Sequence, residues 1–468
     1  MVNIGPGGSI QMLAQFGHGL VLVENARTLA RDFMGDLALV PECLFRDWAN
    51  LGFRAILLEK IWRQPGGNPG GVEAFVPDDS VGGSRGLQFF RRNASDAGLE
   101  LILDFPPFQV AQTNPLSELR PDWTIHQPFS PGMEMEKDAW YLSEVEAGRI
   151  LAIARARDPY FPPVPGSAQL NPCQPGLREH MQSVLARIAT LCDGAWFNSA
   201  MLPLPAGVEK AWGKWRNPSL GGAILDDSPW PCLLDSARDI SPEFKCLAEG
   251  FWGSEWDLMG QGFNYCLDQR LTKRLAEHDY EGVMAHLSAP WEYLKHTLHQ
   301  WKEVIDSCEV HRQQDAILAW VAFLASPGLK LVENQSLNQL LGAGMDEGGR
   351  YSNPFATALN TSSMLNADCE FRLIEFPGKR HGFDGDNLGF VSTRRESGKN
   401  GWRHLLFLAR LQGQGETELV LDLDSAICSY IRPISKEGGL GAKLGEWRGD
   451  HFHVVLQGSS PVFWSPVN

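Results

Sequence analysis

The chain has 468 residues, a formal net charge of −15, 43% hydrophobic and 21% charged residues. That length allows two or three domains, and the composition is that of a globular protein, which excludes disordered, fibrous and low-complexity classes. The charge argues against nucleic acid, whose phosphates need clustered Lys and Arg, and against an anionic membrane surface, whereas a neutral sugar is not repelled. No apolar run reaches 18 residues, so no transmembrane helix is expected. Gly19–Val23 is too short for the apolar core of a signal peptide, and the expected compartment is the cytoplasm. Nine cysteines, an odd number without a Cys-x-x-Cys pair, indicate neither a disulfide framework nor a zinc site.

In chain order, a helix over Cys43–Leu51 leads to a buried strand at Phe53–Leu58. A helix over Gly86–Gly98 leads to a strand at Leu99–Phe105, and one over Pro175–Leu191 leads to Gly194–Asn198. Phe244–Glu249 and Leu329–Glu333 are later strands of the same kind. Strands separated by helices imply βαβ units with a parallel sheet, and at this length the expected closed form is a (β/α)8 TIM barrel. A doubly wound open sheet is the alternative. Asp104, Asn198, Glu249 and Glu333 sit at the C-terminal ends of the runs, the face on which a barrel carries its site. Residues 110–174 form a long insertion rich in Pro and aromatics. Beyond residue 365, strands at Phe371–Phe376, His404–Leu411, Glu418–Leu423, Ile427–Ile431 and His453–Leu456 predict an antiparallel β-sandwich. The expected domains are thus a barrel over 1–360 and an all-β domain over 365–468.

Five segments, in order, resemble the α-amylase family of glycoside hydrolases. Residues 101–109, Leu-Ile-Leu-Asp-Phe-Pro-Pro-Phe-Gln, resemble its first motif, and residues 158–171 resemble the loop before the fourth strand in one bacterial branch. Residues 192–202, Cys-Asp-Gly-Ala-Trp-Phe-Asn-Ser-Ala-Met-Leu, resemble its fourth-strand motif. Residues 247–252 resemble the segment carrying its acid/base Glu, followed by a similar run over 256–265. Residues 331–336, Leu-Val-Glu-Asn-Gln-Ser, resemble its last motif. The resemblance covers roughly residues 40–345 and itself implies the barrel and the β domain that follows.

Retaining glycoside hydrolysis needs two carboxyl groups about 5–5.5 Å apart, one as nucleophile and one as acid/base. The resemblance implies Glu249 as acid/base and puts Asn198 at the nucleophile position, where a neutral amide cannot form the glycosyl ester. It puts Trp196 where the family has Arg, Phe108 and Gln109 where it has Asn and His, and Gln335 and Ser336 where it has His and the transition-state Asp. Asp104, Asp193, Glu333 and Asn334 remain. Trp252 belongs with Trp196 and Phe108 as an aromatic expected near the barrel mouth, as stacking surface or as filling. Losing one catalytic group costs powers of ten in rate, and these positions change together.

The expectation is therefore a catalytically degenerate barrel that binds an α-glucan, an oligosaccharide or a protein partner, without metal or cofactor. The alternative is a hydrolase or glycosyltransferase of altered mechanism using Glu249, with Asp226, Asp227, Glu255 or Glu333 as its second carboxylate. No Walker A, dinucleotide-binding, His-Glu-x-x-His or Gly-x-Ser-x-Gly motif supports another chemistry. His299, His311 and His381 lack ligand spacing, and Asp384 and Asp386 lack the rest of a calcium loop.

Overall fold

The structure is a computed structural model. It describes residues 19–301 except 67–69, 134, 137, 146–147, 213–227, 252 and 278, then 322–324 and 326–337. Further on it describes 369–373 (the side chains of 371 and 373 only), 387–395, 402–410, 416–421, 442–449, 451–457 and 461–464.

Eight parallel strands close into a barrel. They are β1 (Leu20–Asn25), β2 (Phe53–Glu59), β3 (Glu100–Phe105) and β4 (Gly194–Phe197), then β5 (Lys245–Ala248), β6 (Tyr265–Leu267), β7 (Thr297–Trp301) and β8 (Leu329–Glu333). Barrel strands are buried on both faces, which is why they read as continuous apolar runs. Alternation sorts the faces: Val21, Val23, Ala55, Leu57, Ile102, Trp196, Leu247 and Leu331 fill the lumen, while Leu20, Leu22, Ile56, Leu101 and Phe197 pack against the helices. The barrel closes where β1 pairs with β8, Val23 lying opposite Glu333.

The helices predicted around this sheet are present within a few residues, as α1 (Glu42–Asn50), α2 (Gly83–Asp96) and α3 (Pro175–Ala189). In α3, Pro175 occupies the first turn, where its missing N–H costs nothing. Leu177, Met181, Val184, Leu185 and Ile188 recur at helical spacing and are buried. Each such fully buried aliphatic side chain stabilises the fold by roughly 1.5–3 kcal/mol.

Three barrel strands, β1, β6 and β7, were not anticipated, and Gly19–Val23 is not a stray apolar stretch but the start of β1. The insertion is a small β structure: Gln109–Ala111 pairs antiparallel with Ser167–Gln169, and Arg149–Ala154 lies between His126–Pro128 and Trp140–Val145.

The C-terminal region forms two antiparallel sheets. One contains Cys369–Leu373, Asn387–Arg395, Trp402–Arg410 and Pro461–Trp464; the other contains Glu416–Leu421, Ala442–Arg448 and His451–Gln457. Four predicted strands coincide with these within a few residues, and the one at 427–431 lies outside the described residues. Phe371 of the first sheet stacks on Trp291 beside the barrel, ring centroids 6.4 Å apart.

Candidate functional site

Parallel pairing brings the ends of β3, β4 and β5 side by side. Trp196 lies opposite Asp104 and Leu247, and Asn198 N donates to Phe105 O at 3.2 Å. Glu249 N donates to Phe197 O at 3.0 Å. Asp104, Asn198 and Glu249, separated by scores of residues in the chain, thus occupy neighbouring strand ends.

The turn after β4 decides what Glu249 does. Ser199 has φ +51, a left-handed conformation uncommon for a residue with a side chain. It aims its backbone N–H at Glu249 Oε2, 2.7 Å away, while Ala200 N donates to Glu249 O at 2.9 Å. The Glu249 carboxyl is therefore held by a hydrogen bond from its neighbour's backbone. Beside it stands an amide whose Oδ1 is buried without a hydrogen-bond partner.

Asp104 is poised differently. Burial, reinforced by the charge of Glu59, pushes its carboxyl up to about 7 against backbone hydrogen bonds that pull it down. Asp193 has a structural role: Oδ1 accepts from Arg91 at 2.8 Å and Oδ2 from Leu101 N at 2.8 Å, tying the entry of β4 to β3.

The aromatics fill space. Trp196, 3% exposed, points into the barrel lumen, and Phe108 is buried with its ring edge-on to Trp230. Neither offers a stacking face at the mouth; Trp252 lies outside the described residues. Gln109 is half-buried in the short strand facing Gln169. Glu333, Asn334 and Gln335 line a separate cavity beside β1, and Ser336 is buried in the helical turn after β8.

A cleft of about 530 Å3 opens next to the Glu249 strand end, between the insertion and the loops after β5 and β6. Its lining includes Asp158 and Phe161 from the insertion, Gly250 and Phe251 after Glu249, and Glu255, Gln269, Arg270 and Lys273. Phe161 is exposed. Of the candidate second carboxylates, Glu255 is buried here, its pKa raised by desolvation and its Oε2 3.6 Å from Arg270 Nη2. Asp226 and Asp227 lie outside the described residues.

One wall of this cleft rests on a network that sequence reasoning missed. Asp268, 0% exposed, follows β6. Its Oδ1 accepts from Arg270 N at 2.9 Å and Nε at 3.0 Å; its Oδ2 accepts from Arg270 Nη2 at 2.7 Å and Tyr293 Oη at 2.5 Å. Burial alone would raise the Asp268 carboxyl, but the hydrogen bonds from Arg270 and Tyr293 hold it well below the usual carboxylate range. His299 Nδ1 lies 2.9 Å from Asp268 O, which can only accept, so that nitrogen carries the proton. Burial pushes His299 down to about 3, making it a neutral core histidine. His311 and His381 lie outside the described residues. Among the described residues, no group of three His, Cys, Asp or Glu converges on a metal position.

No family profile matches the sequence, and no curated protein is similar to it by sequence. Solved structures are similar in fold over nearly the whole chain. A debranching enzyme from Nostoc punctiforme, soaked with acarbose, has a TM-score of 0.64 at 12% identity, covering 97% of this chain and 100% of its own. A maltogenic α-amylase from Thermotoga neapolitana gives 0.61 at 15%, covering 96% and 99%. The α-amylase from Geobacillus thermoleovorans, complexed with acarbose, gives 0.60 at 14%, covering 98% and 100%. The chain has the α-amylase fold. That likeness extends past the barrel into the C-terminal strands, and no described helix is long and apolar enough to cross a membrane.

Proposed function

We propose that this chain is a non-catalytic member of the α-amylase group that binds a neutral α-glucan oligosaccharide in the cleft beside Glu249. The carrying observation is the pair at the ends of β4 and β5: an amide at 198, and a Glu249 carboxylate engaged by Ser199 N–H. Retaining chemistry requires a nucleophilic carboxylate facing an acid that can release and regain a proton. Trp196 and Phe108, packed into the core, have replaced polar site residues with bulk. The cleft keeps what sugar binding needs, namely the aromatic faces of Phe161 and Phe251 and polar groups from Asp158, Gln269 and Arg270. That two structures of similar fold were obtained with acarbose supports an oligosaccharide as ligand. In this reading residues 1–360 form the barrel domain and 365–468 a β-sandwich, and the protein works in the cytoplasm. It needs no cofactor, metal, nucleic acid or membrane; a protein partner on the same barrel is the other non-catalytic outcome.

The second reading, an altered hydrolase or transferase, is favoured by one observation: Glu255, its pKa raised, shares the cleft with the segment after Glu249. One experiment separates them. Wild type, Glu249→Gln and Asn198→Asp are assayed for hydrolysis and transfer on maltooligosaccharides, sucrose and trehalose, with maltooligosaccharide and acarbose binding followed calorimetrically. The expected result is background turnover in all three, with saturable binding that Phe161→Ala weakens about tenfold, the worth of one stacking contact. Wild-type turnover abolished by Glu249→Gln would instead establish the altered enzyme. No turnover and no sugar binding would leave a protein partner.

A further inference from the structure

A second cavity, of about 700 Å3, opens where β1, β2 and β8 end. Two similar hexapeptides build it. Leu20–Asn25 reads LVLVEN and Leu329–Asn334 reads LKLVEN, five of six residues being the same, and they lie on the paired strands that close the barrel. Each delivers a Glu-Asn pair to the cavity, Glu24-Asn25 and Glu333-Asn334, and Asp32 and Glu59 add two further carboxyls; no Lys or Arg is among its described lining residues.

The buried member of the cluster shows that the cavity is not simply a solvated acidic surface. Glu24 is 7% exposed and lines the cavity; Asn334 hydrogen-bonds its carboxyl, but its Oε1 is buried without a hydrogen-bond partner. A buried carboxyl oxygen left unsatisfied costs free energy that a donor from a ligand would recover. The four carboxyls do not converge as a metal site among the described residues, and the volume is that of a small-molecule pocket. Glu24 is raised and neutral at neutral pH, so Asp32, Glu59 and Glu333 supply the negative potential; with no Lys or Arg among the described lining residues, these acceptors match a ligand bearing protonated amines.

From the unpartnered Glu24 oxygen and the paired Glu-Asn strand ends, we infer that this cavity binds a small molecule carrying protonated amines, separately from the sugar cleft. The shared chemistry is the ammonium group, whether of an aliphatic polyamine or of an amino sugar.

Calorimetric titration of the full chain with spermidine and with glucosamine tests this, with maltose as neutral control and Ca2+ as metal control. Saturable binding of at least one amine is expected, weakening as salt is raised and falling roughly tenfold or more in Glu24→Gln/Glu333→Gln. Glu333→Gln alone, at a less buried position, covers the case in which the double variant fails to fold; its binding is expected to weaken in the same direction. Spermidine alone would assign a polyamine and glucosamine alone an amino sugar. Absence of amine binding, binding that the variants leave unchanged, or saturation by Ca2+ in preference to both amines would overturn the inference. Maltose binding at the other cleft is expected to persist in these variants, so the two readings fail separately.

Discussion

Replacing Asp268 with Ala is expected to cost about 2–3 kcal/mol of stability, read as a lowered urea midpoint at unchanged slope. The size follows from what is left behind. Arg270, stripped of its bidentate partner, keeps Tyr293 and, at 3.6 Å, Glu255, while the Tyr293 hydroxyl loses its acceptor. Arg270 is half exposed, so water recovers part of its lost pairing, and the larger cost is the buried Tyr293 hydroxyl left without its acceptor. Asp268→Asn keeps the shape and some hydrogen bonds and should lose less. The pH dependence has a definite sign. A carboxyl depressed in the folded state contributes stability that is present above its unfolded pKa and lost as pH falls through the folded value. The wild type's advantage over Asp268→Asn should therefore shrink only in strong acid. Because Arg270 also lines the proposed sugar cleft, Asp268→Asn is expected to weaken oligosaccharide binding while the protein remains folded. Equal midpoints for wild type and Asp268→Ala would show that the network is dispensable.

Glu24 works in the opposite sense. Burial, helped by the charge of Asp32 and opposed by a hydrogen bond from Asn334, raises its carboxyl to about 8. Its contribution is fully present below the unfolded pKa, near 4.5, and drains away as pH rises through 8. Glu24→Gln cannot ionise and should gain on the wild type across that window, by on the order of 4 kcal/mol. Asp32, Glu59 and Glu333, which share its cavity, and Asp104, which is raised to about 7, remain in both proteins. The difference between the two urea midpoints at pH 5 and pH 9 therefore isolates Glu24 to first order. Midpoints that stay parallel between those pH values would show that its carboxyl is not raised.

The barrel was legible where strands were long and apolar and preceded by a periodic helix, as at Phe53–Leu58 and Gly194–Asn198. It was not legible at β6, only three residues long, nor at β7, Thr297–Trp301, whose His and Gln break the apolar run. The first strand was missed because it passes into a helix at Ala26 without a loop, Asn25 capping that helix through Arg27 N and Thr28 N. Its near-repeat at Leu329–Asn334 was the available signal, and it would have led to Glu24. Asp104, Asn198 and Glu249 could be placed side by side because each ends a recognisable strand. The Asp268, Arg270 and Tyr293 network could not, since no periodicity links Asp268 to Tyr293 and only burial makes their charges matter.

Closure by β1 and β8 has a consequence for synthesis. The first strand leaves the ribosome before its partner, which follows roughly 300 residues later, about 15–60 s at ordinary elongation rates. Until then Leu20–Val23 has no neighbour on that side, an apolar β edge open to pairing with another nascent chain. The polar Glu-Asn ends that shape the acidic cavity in the finished barrel also place charge at the end of that edge, where it discourages such pairing while the chain waits for its last strand.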